Sequence, residues 1–211
     1  MPPMPLRQGL PWALLGMVGL GLGVALTVRA DLGLGPWDVL HQGMAERTGI
    51  GIGIAGILVG VVVLALAYPL GAQIGIVTLV NVVFVGLVIE AALAVLPEVE
   101  PVAVRWLLLL AGVASGGLGT SLYLVPRLGA GPRDGLMTAL AARGHSVRLV
   151  RTAIELSALT AGILLGGTVG IGTVVWAVLV GPVIQQGLGW CTRLVRGREP
   201  QMAAAPPPHP G

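Results

Sequence analysis

The sequence predicts an all-α polytopic membrane protein. Its six transmembrane helices form two inverted-topology three-helix repeats, each with a short non-spanning helix that opens on Gly-Pro-x-Asp. Three observations lead there. Of 211 residues, 55% are hydrophobic and 10% charged, with a mean hydropathy of +0.92, whereas a soluble domain carries about 25% charge. Apolar runs of about 20 residues, the length that crosses a ~30 Å hydrocarbon core, occur six times. The third observation is that the second half of the chain repeats the first.

The spans fall at 10–28, 50–69, 74–96, 104–125, 148–168 and 171–192. The first ends in TVRA and invites confusion with a signal peptide, but its apolar run is too long for one and it has a counterpart later in the chain. It reads as a mature span. Arg residues set the orientation. Arg7 flanks the first span, Arg127, Arg133, Arg143 and Arg148 fill the fourth connection, and Arg193, Arg196 and Arg198 follow the sixth. With six spans these all lie on one side, so both termini are expected in the cytoplasm. The third connection, PEVEP at 97–101, is acidic. The chain thus divides into 1–98, 99–192 and a Pro/Ala-rich tail at 193–211 that reads as disordered.

Composition narrows the function. Thirty-four glycines would each cost a soluble helix up to about 1 kcal/mol against Ala; in a bilayer they let backbones approach closely. A single cysteine, Cys191, leaves no intramolecular disulfide and no Cys/His metal cluster, and no cofactor is expected. All twelve basic residues are Arg, which fits a GC-rich bacterial genome and an inner-membrane location. The pI of 10.0 reflects Arg at segment ends, hence topology rather than nucleic-acid binding.

The repeat is internal and specific. LGLGPWDVL at 32–40 matches LGAGPRDGL at 128–136 in six of nine positions, 96 residues apart. GIVTLVNVVFVGLVIE at 75–90 matches GIGTVVWAVLVGPVIQ at 170–185 in nine of sixteen, 95 apart. Apolar bias explains matches at Val and Ile but not at Pro, Asp and Gly. Three spans per half is an odd number, so the second copy enters the membrane from the opposite face. Trp37 is then expected at the outer interface and Arg133 at the inner one, where positive charge belongs.

Pro36 and Pro132 suit the first turn of a helix, which places Asp38 and Asp134 near exposed backbone N–H groups. Two readings stand for these carboxylates: helix caps, or a symmetric pair lining a pathway as broken helices do in transporters. The segments that follow are too short and polar to span, and are expected to lie in the interface or to re-enter it.

Ionisable groups inside the membrane are the default functional candidates. Glu90 in the third span has Gln185 as its repeat counterpart; it is either a pathway carboxylate or solvated near the interface. Arg148, Arg151 and Glu155 share a face of the fifth span, as a structural ion pair or as a gate. Asn81, with counterpart Trp176, is expected to bond across helices or to line the pathway. GxxxG recurs at 19–23, 56–60, 112–116 and 162–166, as close-packing seams or as faces for a homodimer or protein partner. His41 and His145 read as lone loop residues. No GxSxG, HExxH or P-loop is present, and no enzymatic activity is expected.

RADLGLGPWDVLHQG, LGAGPRDGLMTAL and RTAIELSALTAGILLGGTVGIGTVVWAVLVGP resemble the YczE/YyaS/YitT family of bacterial inner-membrane proteins over roughly residues 12–192. The absence of a soluble C-terminal domain places the chain nearer the YczE branch. The resemblance implies a multi-pass fold and a membrane location but no settled activity. The residues themselves favour a small-solute transporter or permease-like protein in the lipid bilayer; the alternative is a non-transporting partner that stabilises or regulates another membrane protein.

Overall fold

The computed structural model describes residues 2–72 and 74–197. These form α1 (Leu6–Ala30), α2 (Pro36–Thr48), α3 (Ile52–Ala67, continued by a 3-10 turn at Tyr68–Leu70), α4 (Ile76–Val95), α5 (Val102–Leu124), α6 (Pro132–Ala141), α7 (Val147–Leu165) and α8 (Ile171–Arg196). No strand occurs among the described residues. Helix starts recur at a fixed spacing. Leu6 and Val102 are 96 apart, as are Pro36 and Pro132, while Ile52 and Val147 are 95 apart, as are Ile76 and Ile171.

Five of these helices are long and apolar enough to cross a membrane: α1, α3 with its 3-10 extension, α4, α5 and α8. The expected span at 148–168 corresponds to α7, which does not qualify. Arg148, Arg151 and Glu155 lie in the first half of its 19 residues, and three charges in that length break the apolar run. The last helix also runs further than expected. Residues 193–196 belong to α8, and the Arg196 guanidinium donates to the Val125 carbonyl at 3.0 Å. The expected disordered tail is therefore shortened by this helical turn, and 198–211 lie outside the described residues.

The core is a glycine seam between α1 and α5, which run antiparallel. A side chain at Gly16 would collide with the backbone of Tyr123, and one at Gly23 with that of Gly116. Ser115 Oγ donates to the Gly19 carbonyl at 2.7 Å across the same seam. Lipid tails are as apolar as leucine, so no hydrophobic force drives helices together inside a bilayer; close van der Waals approach does. The other seams follow suit. Gly53 of α3 lies against Gly86 of α4, and Gly162 of α7 against the Val39–Leu40 backbone of α2. The GxxxG stretches are thus largely used within the chain. Gly166 is the exception: it ends α7 at φ 103° rather than packing. A homodimer through these faces would have to displace contacts the fold already makes.

Two loops exchange contacts. Gly33, at φ +106°, packs on Gly170 and Thr173 at the start of α8, and Gly129, at φ +137°, packs on Gly75 and Thr78 at the start of α4. In both places the threonine hydroxyl accepts from the glycine N–H, at 3.2 Å from Gly75 and 3.3 Å from Gly170. Both glycines sit in the left-handed region, which residues bearing a Cβ enter only at a cost.

Four arginines sit on helix C-termini. Arg105 donates to the Ala30 carbonyl at 2.7 Å and pairs with Asp31, Arg29 donates to Leu93 at 2.6 Å, Arg47 to Leu165 at 3.1 Å, and Arg196 to Val125. A guanidinium there satisfies the free carbonyls and opposes the negative end of the helix dipole.

Overpacking a close seam costs typically about 1–3 kcal/mol and at times more. Gly23→Leu should therefore lower the thermal unfolding midpoint in detergent sharply or prevent accumulation. Gly189→Ala, with nothing within 4 Å of the added carbon, should leave the midpoint unchanged or raise it.

Candidate functional site

Gly35 and Gly131 are extended, with ψ of 156° and 161°, and hand the chain to Pro36 and Pro132 at the first helical position. Proline lacks the N–H that would be an orphan there and arrives with φ already set. The two helix starts open on one interior space. Both line one cavity of about 190 Å³, an order of magnitude above the roughly 10–15 Å³ that one water requires. Every helix contributes to its wall, α3, α4 and α8 through their middle turns.

The wall is polar for the inside of such an apolar chain. Asp38, Asp134 and Glu155 face Arg133 and Arg151 around it. Tyr123 Oη donates to Asp134 Oδ2 at 3.0 Å, and Arg133 Nε stands 3.7 Å from Asp134 Oδ1. Arg151 Nε donates to Glu155 Oε1 at 3.0 Å, one turn along α7. Asp38, only 8% exposed, has His41 Nδ1 at 3.6 Å, too far for a hydrogen bond. Two further donors in the wall, Trp37 Nε1 and Asn81 Nδ2, are buried without a partner.

The structure brings Asp38, Asp134, Arg133, Asn81, Arg151 and Glu155 together. It does not bring Glu90, Gln185 or Arg148 into the cavity. Glu90 Oε1 accepts from the Gly53 and Ile54 N–H groups at 2.7 and 3.2 Å, so it caps the start of α3. Gln185 is exposed on α8, and Arg148 is exposed at the start of α7. The carboxylates of Asp38 and Asp134 bond to none of the first-turn amides of their own helices, which favours cavity lining over capping. Arg133 and Trp37, whose types suggested opposite interfaces, both line the one cavity. His41 is no loop residue. It lies one turn after Asp38 in α2 and faces the same space.

Tyr123 and His41 were missed for a shared reason. Each needs a partner from another turn or element, and only an assumed helix register reveals it. The signal for Tyr123 is a phenol in an apolar span, which must find an acceptor. For His41 it is the i, i+3 spacing from Asp38.

The profile of a family of unknown function (DUF6198) matches residues 8–187. An uncharacterised protein of Haemophilus influenzae is 40% identical over 176 residues, covering 83% of this chain and 81% of the relative. The membrane protein YczE of Bacillus subtilis, also uncharacterised, is 32% identical over 206 residues, covering 92% and 94%. YyaS of the same organism is 28% identical over 177 residues, covering 81% and 87%. No solved structure matches significantly.

The two polar pairs should differ in strength. A buried hydrogen bond to a charged group contributes about 1.5–3 kcal/mol, so Tyr123→Phe should destabilise by that order in detergent unfolding. The Arg151–Glu155 pair has a half-exposed guanidinium, and a double-mutant cycle on it should give a coupling below about 1 kcal/mol.

Proposed function

The chain belongs to the family of unknown function DUF6198 and is kin to the membrane protein YczE, and from that premise we propose that it carries a small solute across the bacterial inner membrane by alternating access to the central cavity. Six spans are inferred, α7 being the sixth, with Arg151 and Glu155 turned to the cavity rather than to lipid. The two halves are read as inverted repeats. Four observations support this: helix starts recurring at 95–96 residues, antiparallel α1 and α5, the exchanged Gly33 and Gly129 contacts, and two Pro-initiated helix starts lining one cavity. Half-helices of this kind mark solute sites in repeat-built transporters.

One observation carries the mechanism: equivalent helix pairs are packed unequally around the cavity. α3 lies along α4, with Gly53 on Gly86 and Glu90 capping the start of α3. Their counterparts α7 and α8 make scarcely any contact, and α7 is held instead by α2 and α6. Gly181, 95 residues after Gly86, has empty space where Gly86 is tight. Gln185, 95 after Glu90, is exposed. The repeat thus specifies a second conformation. In it the start of α7 closes on Gly181, the Gln185 amide oxygen caps α7, and α3 leaves α4. With both termini cytoplasmic, the present state opens inward beside Arg151. A ligand that binds the two states unequally would shift their populations.

Two measurements test this. In a Cys191→Ala background, Arg148→Cys with Gly181→Cys should form a disulfide on oxidation, because the repeat brings these positions as close as Gly53 and Gly86. Reconstituted protein should lose solute flux when that bond forms and recover it on reduction. Asp134→Asn and Arg133→Gln should lower flux at least tenfold at normal expression. Failure of residues 148 and 181 to cross-link would sink alternation; cross-linking without flux for any solute would leave the non-transporting partner.

A further inference from the structure

The two helix starts look alike in sequence but are furnished differently. At the start of α2 the Trp176 indole fills the space over Gly35, so that nothing else can approach there. At the start of α6 the counterpart of Trp176 is Asn81, 95 residues earlier. Its carboxamide stands beside Gly131, leaving room for a ligand. Asn81 is only 8% exposed, and its Nδ2 donor has no partner. The Trp37 indole N–H in the same wall is likewise unpaired. A ten-residue helix presents the first-turn amides of Arg133 and Asp134 at this point, with the positive end of its dipole. Asn81 Oδ1 and Asp134 Oδ2 also approach Gly131, so the acceptor oxygens still called for here are those that reach the unpaired Asn81 and Trp37 donors.

The opposite requirement sits at Asp38. Arg133 stands by Asp134 and Arg151 by Glu155, which leaves Asp38 as the cavity carboxylate with no guanidinium within 4 Å, Arg133 acting on it only across the cavity. His41 at 3.6 Å is its ion-pair neighbour, and a buried carboxylate is stable only when paired and hydrogen-bonded.

We infer that the cavity takes a small zwitterion, its carboxylate held by Asn81, Trp37 and the start of α6, and its ammonium held by Asp38. This deepens the transport reading and rests on it for consequence, but binding is measured apart from flux. The unfolding midpoint of the full chain in detergent would be followed against alanine, β-alanine and γ-aminobutyrate, whose charges lie progressively further apart. Acetate and ethylammonium at matched ionic strength serve as the two half-ligands. At least one zwitterion should raise the midpoint saturably where neither half-ligand does. Asn81→Leu should weaken that apparent affinity about three- to tenfold, and Asp38→Asn about ten- to a hundredfold; Arg143→Gln, exposed and outside the cavity, should leave it unchanged. Should Asp38→Asn fail to fold, Asn81→Asp supplies the reversal: it should abolish the zwitterion response and create one to ethylammonium. Equal responses to acetate and to the best zwitterion would reduce the site to an anion pocket and overturn the inference. So would equal responses to ethylammonium, or no response to any of the five. Each of these results leaves the 148–181 cross-link free to succeed, so binding and alternation fail separately.

Discussion

A helix that begins inside a membrane bundle has first-turn amides that no hydrocarbon can satisfy. Two helices of the chain start against its interior cavity, at Pro36 and Pro132, and much of the interior follows from it. Prolines remove one orphan donor at each start. Extended Gly35 and Gly131 let the incoming strand pass without a side chain, and polar groups from several other helices gather around the remaining amides. The polar cavity is therefore a condition of the fold as well as its functional candidate. An apolar lining at the same place would leave two positive helix ends facing nothing.

The remaining helix ends are handled by charge. Arginines from distant parts of the sequence close the C-termini of α1, α4, α5 and α7, joining segments 64 to 118 residues apart. Arg at segment ends thus has two roles at once. It biases orientation across the bilayer, and it ties the end of one helix to the body of another. Arg47 shows the second role most clearly, since it links the polar helix α2 to the end of α7, alongside the close Gly162 seam between the same two helices.

Much of this was written in local sequence. Apolar runs located all five long helices to within about four residues at each end, the start of α1 and the end of α8 being the largest misses. The paired Gly-Pro-x-Asp strings marked the starts of both short helices, α2 and α6, because Pro and Gly act on their own backbone and need no distant partner. What local sequence did not carry were roles set across space. Glu90 reads as a pathway carboxylate until α3 is docked on it. Arg133 reads as an inner-leaflet charge until the loop before it is seen to fold inward. Gly56 and Gly60 read as a possible dimer seam, whereas one faces the His41 ring and the other Val82. The apolar run read at 148–168 also passed over three charges, Arg148, Arg151 and Glu155, in the first half of α7, and these keep it out of the five long apolar helices.

The seating of α7, close on α2 and nearly free of α8, has a consequence of its own. Its outward surface is made of exposed side chains such as Leu149, Leu156, Ile163 and Leu164, so acyl chains press on it directly while protein braces it mainly through two short helices. Under the proposed alternation, lateral pressure and hydrocarbon thickness would act on the same coordinate that opens and shuts the cavity. A thicker or stiffer bilayer would weigh on this one element more than on the glycine-locked pair at the centre, and lipid composition becomes a control over the resting state.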